Sequence, residues 1–472
     1  MQTSMNMKTR CSFTRCCLAR LVPLATLFLP VFDIAAIDSA PDVGLAVRDI
    51  TPELPIRLAG YAGRQRPADK VDHPLLAQAL ALKNPTGERF VFVALDNCLV
   101  SRAFMRPVLQ QLAERFQLGP GTVAVVSSHT HSAPVLEESL TDMVQPTPEE
   151  RERIAQYSLS LKSNLVEVAG AALADCQPAV LEQGRGRATF AVNRRLYDGD
   201  HVRLSDNPDG PVDWDVPVLR VKGTNGAVRA VLFGYSCHGT CIRGGDDWYV
   251  VCGEYMAYAR QHLEALQPGA VAMFLTGMGA DSDPTPRGGL MATKRHGLEL
   301  AGAVMGVLDR PMQPVRGAFN LAYEEVELPL SPPPTRERLE QDARGADVYV
   351  KLRAEAYLKL LNTGQPLPES VKLPLAALRL GDDLTFVLMG GEVVVDYSRR
   401  IKRMYAGDHP WPIGYAYHVP CYIPTTRLIK EGGYETESSM IYYGFYGPFR
   451  VGIEDKVFNR LEAILSTLRA KR

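Results

Sequence analysis

Two histidines at alternate positions are the residues of this sequence best suited to catalysis or metal binding. His129 and His131 follow the apolar run at residues 122–126, which predicts a buried strand. The whole chain has nine histidines. Imidazoles fixed at a strand end and open to a cleft are a common form of metal ligand or acid–base pair. The alternative is a polar pair on an exposed turn.

A third histidine and a glutamate also follow predicted strands. They are His238 and Glu392. Two imidazoles and a carboxylate from separate loops are the ordinary ligands of a catalytic zinc ion, which also needs an open position. We therefore predict that one zinc ion per chain is held by His129, His238 and Glu392. His131 would then serve proton transfer to the leaving group or orient the substrate.

Polar residues follow two further predicted strands. Asp96 and Asn97 come after the strand at residues 89–95, and Asp281 comes after the strand at residues 270–275. In α/β sheets, ligands bind at the carboxyl ends of the strands. These side chains are therefore expected to converge with the histidines on one active site, where Asp281 is a candidate catalytic residue.

The elements that would position these residues alternate along the chain. Short β-rich runs and helical patterns follow one another past residue 40, which predicts an α/β fold with a layered mixed β-sheet and flanking helices. We expect one domain over residues 41–472. Predicted helices lie near residues 104–116, 148–175, 255–266, 290–308 and 336–361. Further strands are predicted near residues 216–221, 230–235, 317–330, 375–380 and 385–389.

The first forty residues have the order of a secretory signal. Basic residues between positions 8 and 20 precede an apolar run at 21–32 and then small residues, with cleavage expected after Ala36 or Ala40. The apolar run is too short to cross a membrane as a helix, and no later segment is long enough. Residues 1–40 are therefore predicted to be a signal peptide, and the protein is expected to be secreted or periplasmic.

The composition restricts the partners. The net charge is −1, with 22% charged and 46% hydrophobic residues. Without a basic excess, nucleic acid is not an expected partner and attraction to anionic membranes would be weak. A small-molecule lipid or acylated-sugar substrate, recognised locally, is expected instead.

Cysteine usage leaves two alternatives open. Three of the nine cysteines lie in the predicted signal, so an even number remains in an oxidising compartment. Cys237 could form a disulfide with Cys241 or Cys252. The alternative is that these cysteines are simply small buried residues.

The C-terminal third is rich in tyrosine. A tyrosinate can ligate zinc, but such a cluster usually serves packing or forms the wall of a binding groove. The residues are Tyr415, Tyr417, Tyr422, Tyr434, Tyr442, Tyr443 and Tyr446.

Motifs across nearly the whole chain after residue 40 match one family in its own order. They lie at residues 43–52, 59–61, 72–75, 128–134, 193–195, 237–240, 391–392 and 434–435. On these motifs the sequence resembles the neutral/alkaline (non-lysosomal) ceramidase family, specifically its N-terminal zinc-hydrolase domain. Members of that family are zinc amidases that split ceramide into a sphingoid base and a fatty acid.

The resemblance implies roles for individual residues. His131 matches the second histidine of the family's His-Thr-His motif, which lies beside the metal, and Arg194 would line the pocket. With Asp281, these form the expected catalytic set. The implied zinc ligands are His129, His238, Glu392 and Tyr434.

The sequence departs from the family at two places. At residues 280–284 the family has Gly-Asp-Val-Ser-Pro, and here Asp283 stands where the family has serine. A serine nucleophile is therefore not expected, whereas attack by a metal-bound water needs no serine. The chain also ends at Arg472, so we expect it to lack the C-terminal immunoglobulin-like domain of full-length ceramidases.

Together, these observations predict a secreted zinc-dependent amidohydrolase that cleaves the N-acyl amide of ceramide-like sphingolipids. Two alternatives stay open. The same metal core could serve a carbohydrate deacetylase, esterase or polysaccharide lyase. A non-catalytic binding protein could also retain the metal.

Overall fold

A computed structural model of the chain describes residues 40–470. The predicted signal peptide at residues 1–40 therefore lies outside the described residues, apart from its last residue. No helix among the described residues is long and apolar enough to cross a membrane.

Strands and helices alternate along the described chain, as predicted. The strands are β1 (Asp42–Asp49), β2 (Lys70–Val71), β3 (Leu76–Lys83), β4 (Arg89–Leu95), β5 (Val123–Ser127), β6 (Ala179–Arg187), β7 (Ala191–Asp198), β8 (His201–Asn207), β9 (Asp215–Gly223), β10 (Val228–Tyr235), β11 (Val250–Val251), β12 (Val271–Thr276), β13 (Ser282–Pro284), β14 (Gln313–Val315), β15 (Phe319–Pro329), β16 (Ser370–Leu380), β17 (Leu384–Met389), β18 (Glu392–Val393), β19 (Pro410–Ile413) and β20 (Tyr422–Ile423). The α-helices are α1 (Arg102–Phe116), α2 (Pro148–Ala174), α3 (Glu254–Leu266), α4 (Leu290–Leu308), α5 (Arg336–Ala343), α6 (Val348–Asn362), α7 (Val395–Met404), α8 (Thr426–Glu431) and α9 (Ile453–Arg469).

Three large sheets organise these strands. Their strand orders are β1-β3-β4-β5, β12-β10-β9-β6-β14 and β15-β16-β17-β19. Each sheet is mixed, because β4 and β5, β10 and β12, and β17 and β19 are parallel pairs beside antiparallel neighbours. The α/β class is therefore confirmed. The predicted mixed sheet is divided into several sheets.

The inner faces of the three sheets share one apolar core. Leu80 and Phe92 of the first sheet, Leu232 of the second and Phe386 of the third belong to the same buried cluster. The rings of Phe92 and Phe386 meet edge to face with centroids 5.1 Å apart. Helices cover the outer faces: α1 and α2 on the first sheet, α3 and α4 on the second, and α7 and α9 on the third. Burial on both faces explains the continuous apolar runs of these strands.

Most predicted elements are confirmed, and the differences have local causes. The predicted helix at 290–308 matches α4, and that at 148–175 matches α2, whose Thr147 and Glu150 form a capping box. The single helix predicted at 336–361 is wrong, because the chain breaks between α5 and α6. Asp347 there caps α6 by accepting hydrogen bonds from two backbone amides.

The cysteines agree with the second of the two alternatives. The six cysteines among the described residues are free, and all but Cys176 are buried. Cys237, Cys241 and Cys252 pack as small apolar groups around α3 and the loop before it.

The contact between β1 and α2 depends on a glycine. A Cβ at Gly44 would lie 1.9 Å from the carbonyl oxygen of Ala172, so the helix would have to move. We expect Gly44→Ala to lower the free energy of unfolding by about 1–3 kcal/mol, measured by urea denaturation. Gly302→Ala, on the exposed face of α4 with no atom near its Cβ, is the control and should raise it by about 1 kcal/mol. An equal effect of both variants would contradict this account.

Candidate metal centre

The three predicted ligands come from three different sheets. His129 follows β5 of the first sheet, His238 follows β10 of the second, and Glu392 follows β17 of the third. We expected the polar strand ends of one sheet to converge. The structure instead brings together the ends of three sheets at the edge of their shared core.

Backbone hydrogen bonds join the loops that carry these residues. Thr130 and Gly239 form a parallel bridge, and the amide of His131 donates to the carbonyl of Gly239 at 3.0 Å. The amide of His238 donates to the carbonyl of Ser282 at 3.0 Å. Glu392 pairs with Tyr422 between β18 and β20. The relative positions of the side chains are therefore set by the backbone.

The close approach of two of these loops has a conformational cost. A Cβ at Gly239 would lie 2.8 Å from the carbonyl oxygen of His129 and 2.9 Å from Cα of Thr130, so only glycine fits there. His129 itself has a φ of 59°, in the left-handed region that most residues avoid. Such strain is typical of functional sites that the surrounding structure holds in place.

The three side chains converge on one buried point. Glu392 Oε2 lies 3.1 Å from His129 Nε2 and 3.4 Å from His238 Nε2. The candidate ligand atoms of all three residues lie within 4.8 Å of one another. All three side chains are almost completely buried. Two imidazole nitrogens and a carboxylate at these separations can share one metal ion.

His129 and His238 are each oriented by a backbone carbonyl group. Nδ1 of His129 lies 2.8 Å from the carbonyl oxygen of Cys98, and Nδ1 of His238 lies 3.4 Å from that of Gly279. With a metal bound, a proton on Nδ1 would leave each Nε2 lone pair to the metal, the usual arrangement behind ligating histidines. Burial alone would raise the pKa of Glu392, but the neighbouring His129 and His238 outweigh it and keep the pKa well below its ordinary value. The residues therefore fit a zinc ion.

His131 lies beside this group. Its Nε2 is 3.2 Å from Nε2 of His129, and its ring meets the edge of Tyr61 with centroids 4.7 Å apart. Its Nδ1 is buried without a hydrogen-bond partner among the described residues. Burial and the nearby His129 and His238 lower the pKa of His131 well below 6.5, so this imidazole is neutral at neutral pH. A neutral imidazole next to the ligands can accept a proton.

Three tyrosines contact the ligand side chains. The hydroxyl of Tyr415 donates to Glu392 Oε2 at 3.3 Å, and that of Tyr443 donates to Glu392 Oε1. The hydroxyl of Tyr422 lies 3.4 Å from Nε2 of His238. The sequence pointed to the tyrosine-rich segment but did not single out these three.

Tyr434 lies further from the ligands than Tyr422 does. Its ring centroid lies 5.6 Å from that of Tyr422, and it forms no hydrogen bond with the three ligands in the described chain. The guanidinium of Arg194 lies 5.6 Å from its ring. Zinc ligation by Tyr434 stays a prediction.

Arg194 contacts the ligand group, and the catalytic role predicted for it stays a prediction. Its Nη1 lies 3.2 Å from Nε2 of His238, and its Nη2 donates to the hydroxyl of Tyr422 at 3.0 Å. The fully buried Glu435 accepts from Arg194 Nε at 2.9 Å and from Arg195 Nη1 at 2.7 Å. Glu435 thus holds both arginines, a role that the sequence analysis did not identify.

Two aspartates of the β13 segment have different surroundings. Asp281 accepts from the backbone amide of Val395 at 2.7 Å and from the Asn193 side chain at 3.1 Å. This connects the loop to the start of α7, next to Glu392, and the catalytic role predicted for Asp281 stays a prediction. Asp283 accepts from Thr240 at 3.0 Å and from Arg287 at 2.7 Å.

Asp96 and Asn97 do not reach the ligand group. Asp96 forms a buried ion pair with Arg260 and accepts from the backbone amide of Leu76 at 2.9 Å. Asn97 donates to the carbonyl of Pro134 at 3.0 Å, and its own carbonyl accepts from the amide of His129. Asn97 therefore supports the His129 loop from behind, whereas Asp96 joins β3 to α3.

A cavity of about 640 Å³ is connected to the ligand group through one wall residue, Tyr443. Tyr443, whose hydroxyl contacts Glu392, forms part of its wall together with Leu99, Val419 and Phe445. Lys372 and other polar side chains also line it. Such a mixed apolar and polar cavity is the usual form of a small-molecule site.

Comparison with known proteins relates part of the chain to one family. Residues 42–274 match the family described as neutral/alkaline non-lysosomal ceramidase, N-terminal. Over this stretch, which is just under half of the sequence, the chain resembles the neutral/alkaline non-lysosomal ceramidases.

Individual relatives match over limited lengths. The chain is 33% identical over 95 residues to "Neutral ceramidase" of Oryza sativa subsp. japonica, covering 20% of this chain and 12% of the relative. It is 23% identical over 245 residues to "Neutral ceramidase B" of Dictyostelium discoideum, covering 47% and 31% respectively. The matches thus span less than a third of the length of these relatives.

Solved structures support the fold over most of the chain. The crystal structure of neutral ceramidase from Pseudomonas aeruginosa matches with a TM-score of 0.67 and 19% identity, covering 90% of this chain and 73% of that one. A ceramidase complexed with C2 matches with a TM-score of 0.65 and 19% identity, covering 87% and 73%. At this identity the likeness shows a shared fold.

The tyrosine contacts yield a test. We expect Tyr443→Phe to weaken zinc binding about 10- to 100-fold, because Glu392 loses the hydroxyl that orients its carboxylate. Competition titration with a chelating dye measures the affinity. Tyr442→Phe, a neighbour whose ring packs on Tyr349, is the control and should bind zinc normally. Unchanged affinity in Tyr443→Phe would contradict the assignment, and Tyr434→Phe in the same assay tests the fourth ligand.

Proposed function

We propose that this chain is a zinc-dependent hydrolase of the N-acyl amide of ceramide-like lipids. The observation that carries the proposal is the convergence of His129, His238 and Glu392 from three sheets onto one buried point. Similarity to proteins named neutral ceramidases supports the choice of substrate.

The metal would be held by His129, His238 and Glu392, with Tyr434 as the fourth ligand that the family resemblance implies. Bound zinc supplies a Lewis acid for a carbonyl oxygen and lowers the pKa of water. The hydroxyls of Tyr415 and Tyr443 fix the orientation of the Glu392 carboxylate.

The remaining residues would handle the proton and the substrate. His131 is neutral and adjacent to the ligands, so it can take a proton from the attacking water and return it to the leaving nitrogen. Arg194, held by Glu435, would orient a polar group of the substrate from the side of His238. The apolar part of the cavity beside Tyr443 offers room for a hydrocarbon segment.

We further propose that the protein is secreted or periplasmic, on the basis of the signal pattern in residues 1–40. Asp283 in place of the family serine favours attack by water over a serine nucleophile. Arg194 and the tyrosine-rich C-terminal third would suit a polar, planar-faced substrate as readily as a lipid, so an acylated carbohydrate stays the second candidate.

The two histidines of the opening motif should separate metal binding from catalysis. We expect His129→Ala to lose zinc and activity together. His131→Ala should keep stoichiometric zinc and lose about 10²- to 10⁴-fold in kcat, since only proton transfer is removed. Metal analysis and hydrolysis of a short-chain fluorescent ceramide provide the two readouts. The exposed His201→Ala is the control. Zinc loss in His131→Ala, or full activity in His129→Ala, would refute these roles.

A substrate panel tests the proposed class. We expect the zinc-loaded protein to hydrolyse short-chain ceramide in preference to N-acetylated sugars and uronate polymers, because the family relationship and the apolar cavity wall favour an acyl chain. Product formation is followed by chromatography. Turnover of carbohydrate alone would contradict the proposed ceramide substrate but would leave the proposed metal site unchanged. No turnover by any zinc-loaded sample would favour a binding protein.

A further inference from the structure

A cationic surface surrounds a tryptophan away from the metal ligands. Arg187 ends β6, Trp214 precedes β9, and Arg399 and Arg403 lie one turn apart on α7. All three arginines are exposed and Trp214 is half-buried. We call these four residues the Trp214 patch.

The arginines of the Trp214 patch are not neutralised by neighbouring acids. Among the described residues, no carboxylate lies within ion-pair distance of Arg187, Arg399 or Arg403. The acidic residues beneath the patch already form ion pairs with other basic residues. Asp213 accepts from Lys402 at 2.7 Å, and Asp215 pairs with Lys402 at 2.8 Å and with Arg185. The patch therefore carries a local positive charge on a chain whose net charge is −1.

The patch is concave and its tryptophan is fixed. A cavity of about 540 Å³ is lined by Arg187, Trp214, Arg399 and Arg403. A second cavity of about 450 Å³ shares Trp214 and Arg399 and extends to Arg427, which pairs with Asp396, and its wall also includes Asp209. The indole nitrogen donates to the carbonyl of Ala191 at 2.8 Å, and the guanidinium of Arg187 lies 4.8 Å from the ring. The indole thus stands between two adjoining cavities in a set orientation.

We propose that the Trp214 patch binds an acidic oligosaccharide. Guanidinium groups form paired hydrogen bonds with carboxylate and sulfate groups, and a strongly hydrated ammonium does so less well. The part of the indole that lines the two cavities, beside the Arg187 guanidinium over its ring, offers an apolar contact to the C–H groups of a sugar. Cations about 6 Å apart along α7 suit charges repeated along a short chain. The site does not depend on the proposed hydrolase activity.

Two other polyanions fit the patch less well. A nucleic acid needs a basic groove that follows many phosphates, and the overall charge of −1 provides no such field. An anionic membrane would favour apolar side chains projecting around the cations, whereas Trp214 is half-buried between two cavities. An acidic sugar chain uses both the concavity and the ring.

Calorimetry with the full chain tests the proposal. The probe is a galacturonate tetramer, compared with neutral maltotetraose, a single-stranded oligonucleotide and vesicles of anionic phospholipid. Arg399→Ala/Arg403→Ala removes two cations of the patch. Arg295→Ala/Lys456→Ala removes two exposed, unpaired cations from α4 and α9 and is the charge-matched control. Thermal denaturation verifies that both double variants fold.

We expect the galacturonate tetramer to bind the parent chain and the control equally, and the patch variant at least about tenfold more weakly. Binding should weaken with added salt, and maltotetraose should not bind measurably. Equal binding by the patch variant and the parent would overturn the proposal. So would the absence of galacturonate binding to the parent chain, or tighter binding of the oligonucleotide or the vesicles.

Discussion

The structure depends on placing a charged carboxylate where three apolar sheets meet. Glu392 is 2% exposed, and an ionised group at such depth is costly unless it is paired and hydrogen-bonded. Two imidazoles and two tyrosine hydroxyls supply the partners. Each comes from a different segment, so the cost of the carboxylate is offset only when the whole fold is assembled. Removal of any one partner would leave buried polar groups uncompensated.

This requirement explains why backbone contacts around the ligands are so close. A ligand set drawn from three sheets needs its loops to hold fixed relative positions, since a small displacement would separate atoms now about 3 Å apart. The bridge between Thr130 and Gly239 and the left-handed conformation of His129 serve this purpose. Gly60 has a similar role, because a Cβ there would lie 2.3 Å from the ring of His131. Glycines at these places allow backbone and imidazole to approach without a side chain between them.

The sequence predicted those parts of the site that have a strong local signal. His129, His238 and Glu392 each follow a buried apolar run, and that signal placed them correctly at strand ends. It could not show that the strands belong to three sheets, because pairing between distant strands leaves no local pattern. The polar edge hairpin of β7 and β8 and the C-terminal helix α9 were not predicted. The hairpin has little apolar alternation, and several of its residues are exposed.

The tyrosines show the same limit at the level of single side chains. The sequence located a tyrosine-rich segment, and the family resemblance selected Tyr434 within it. The structure places Tyr415, Tyr422 and Tyr443 in contact with the ligands, and only the path of the loops after β19 decides which ring reaches them. Residue type and spacing do not allow that path to be predicted where the chain has little regular secondary structure.

The surroundings of Asp283 bear on how hydrolysis would proceed at such a site. Burial raises the pKa of this aspartate, but Arg194, His238 and Arg287 together lower it to about 2, so the group is ionised throughout the physiological range. Its oxygens accept from Thr240 and Arg287 and lie 3.5 Å from Arg194. A carboxylate engaged in this way is a weak nucleophile and a poor proton acceptor. It instead anchors Arg194 beside His238. With no hydroxyl at this position, His131 stays our candidate for proton transfer in the proposed reaction, because its Nε2 lies 3.2 Å from that of His129 and its Nδ1 has no hydrogen-bond partner in the described chain.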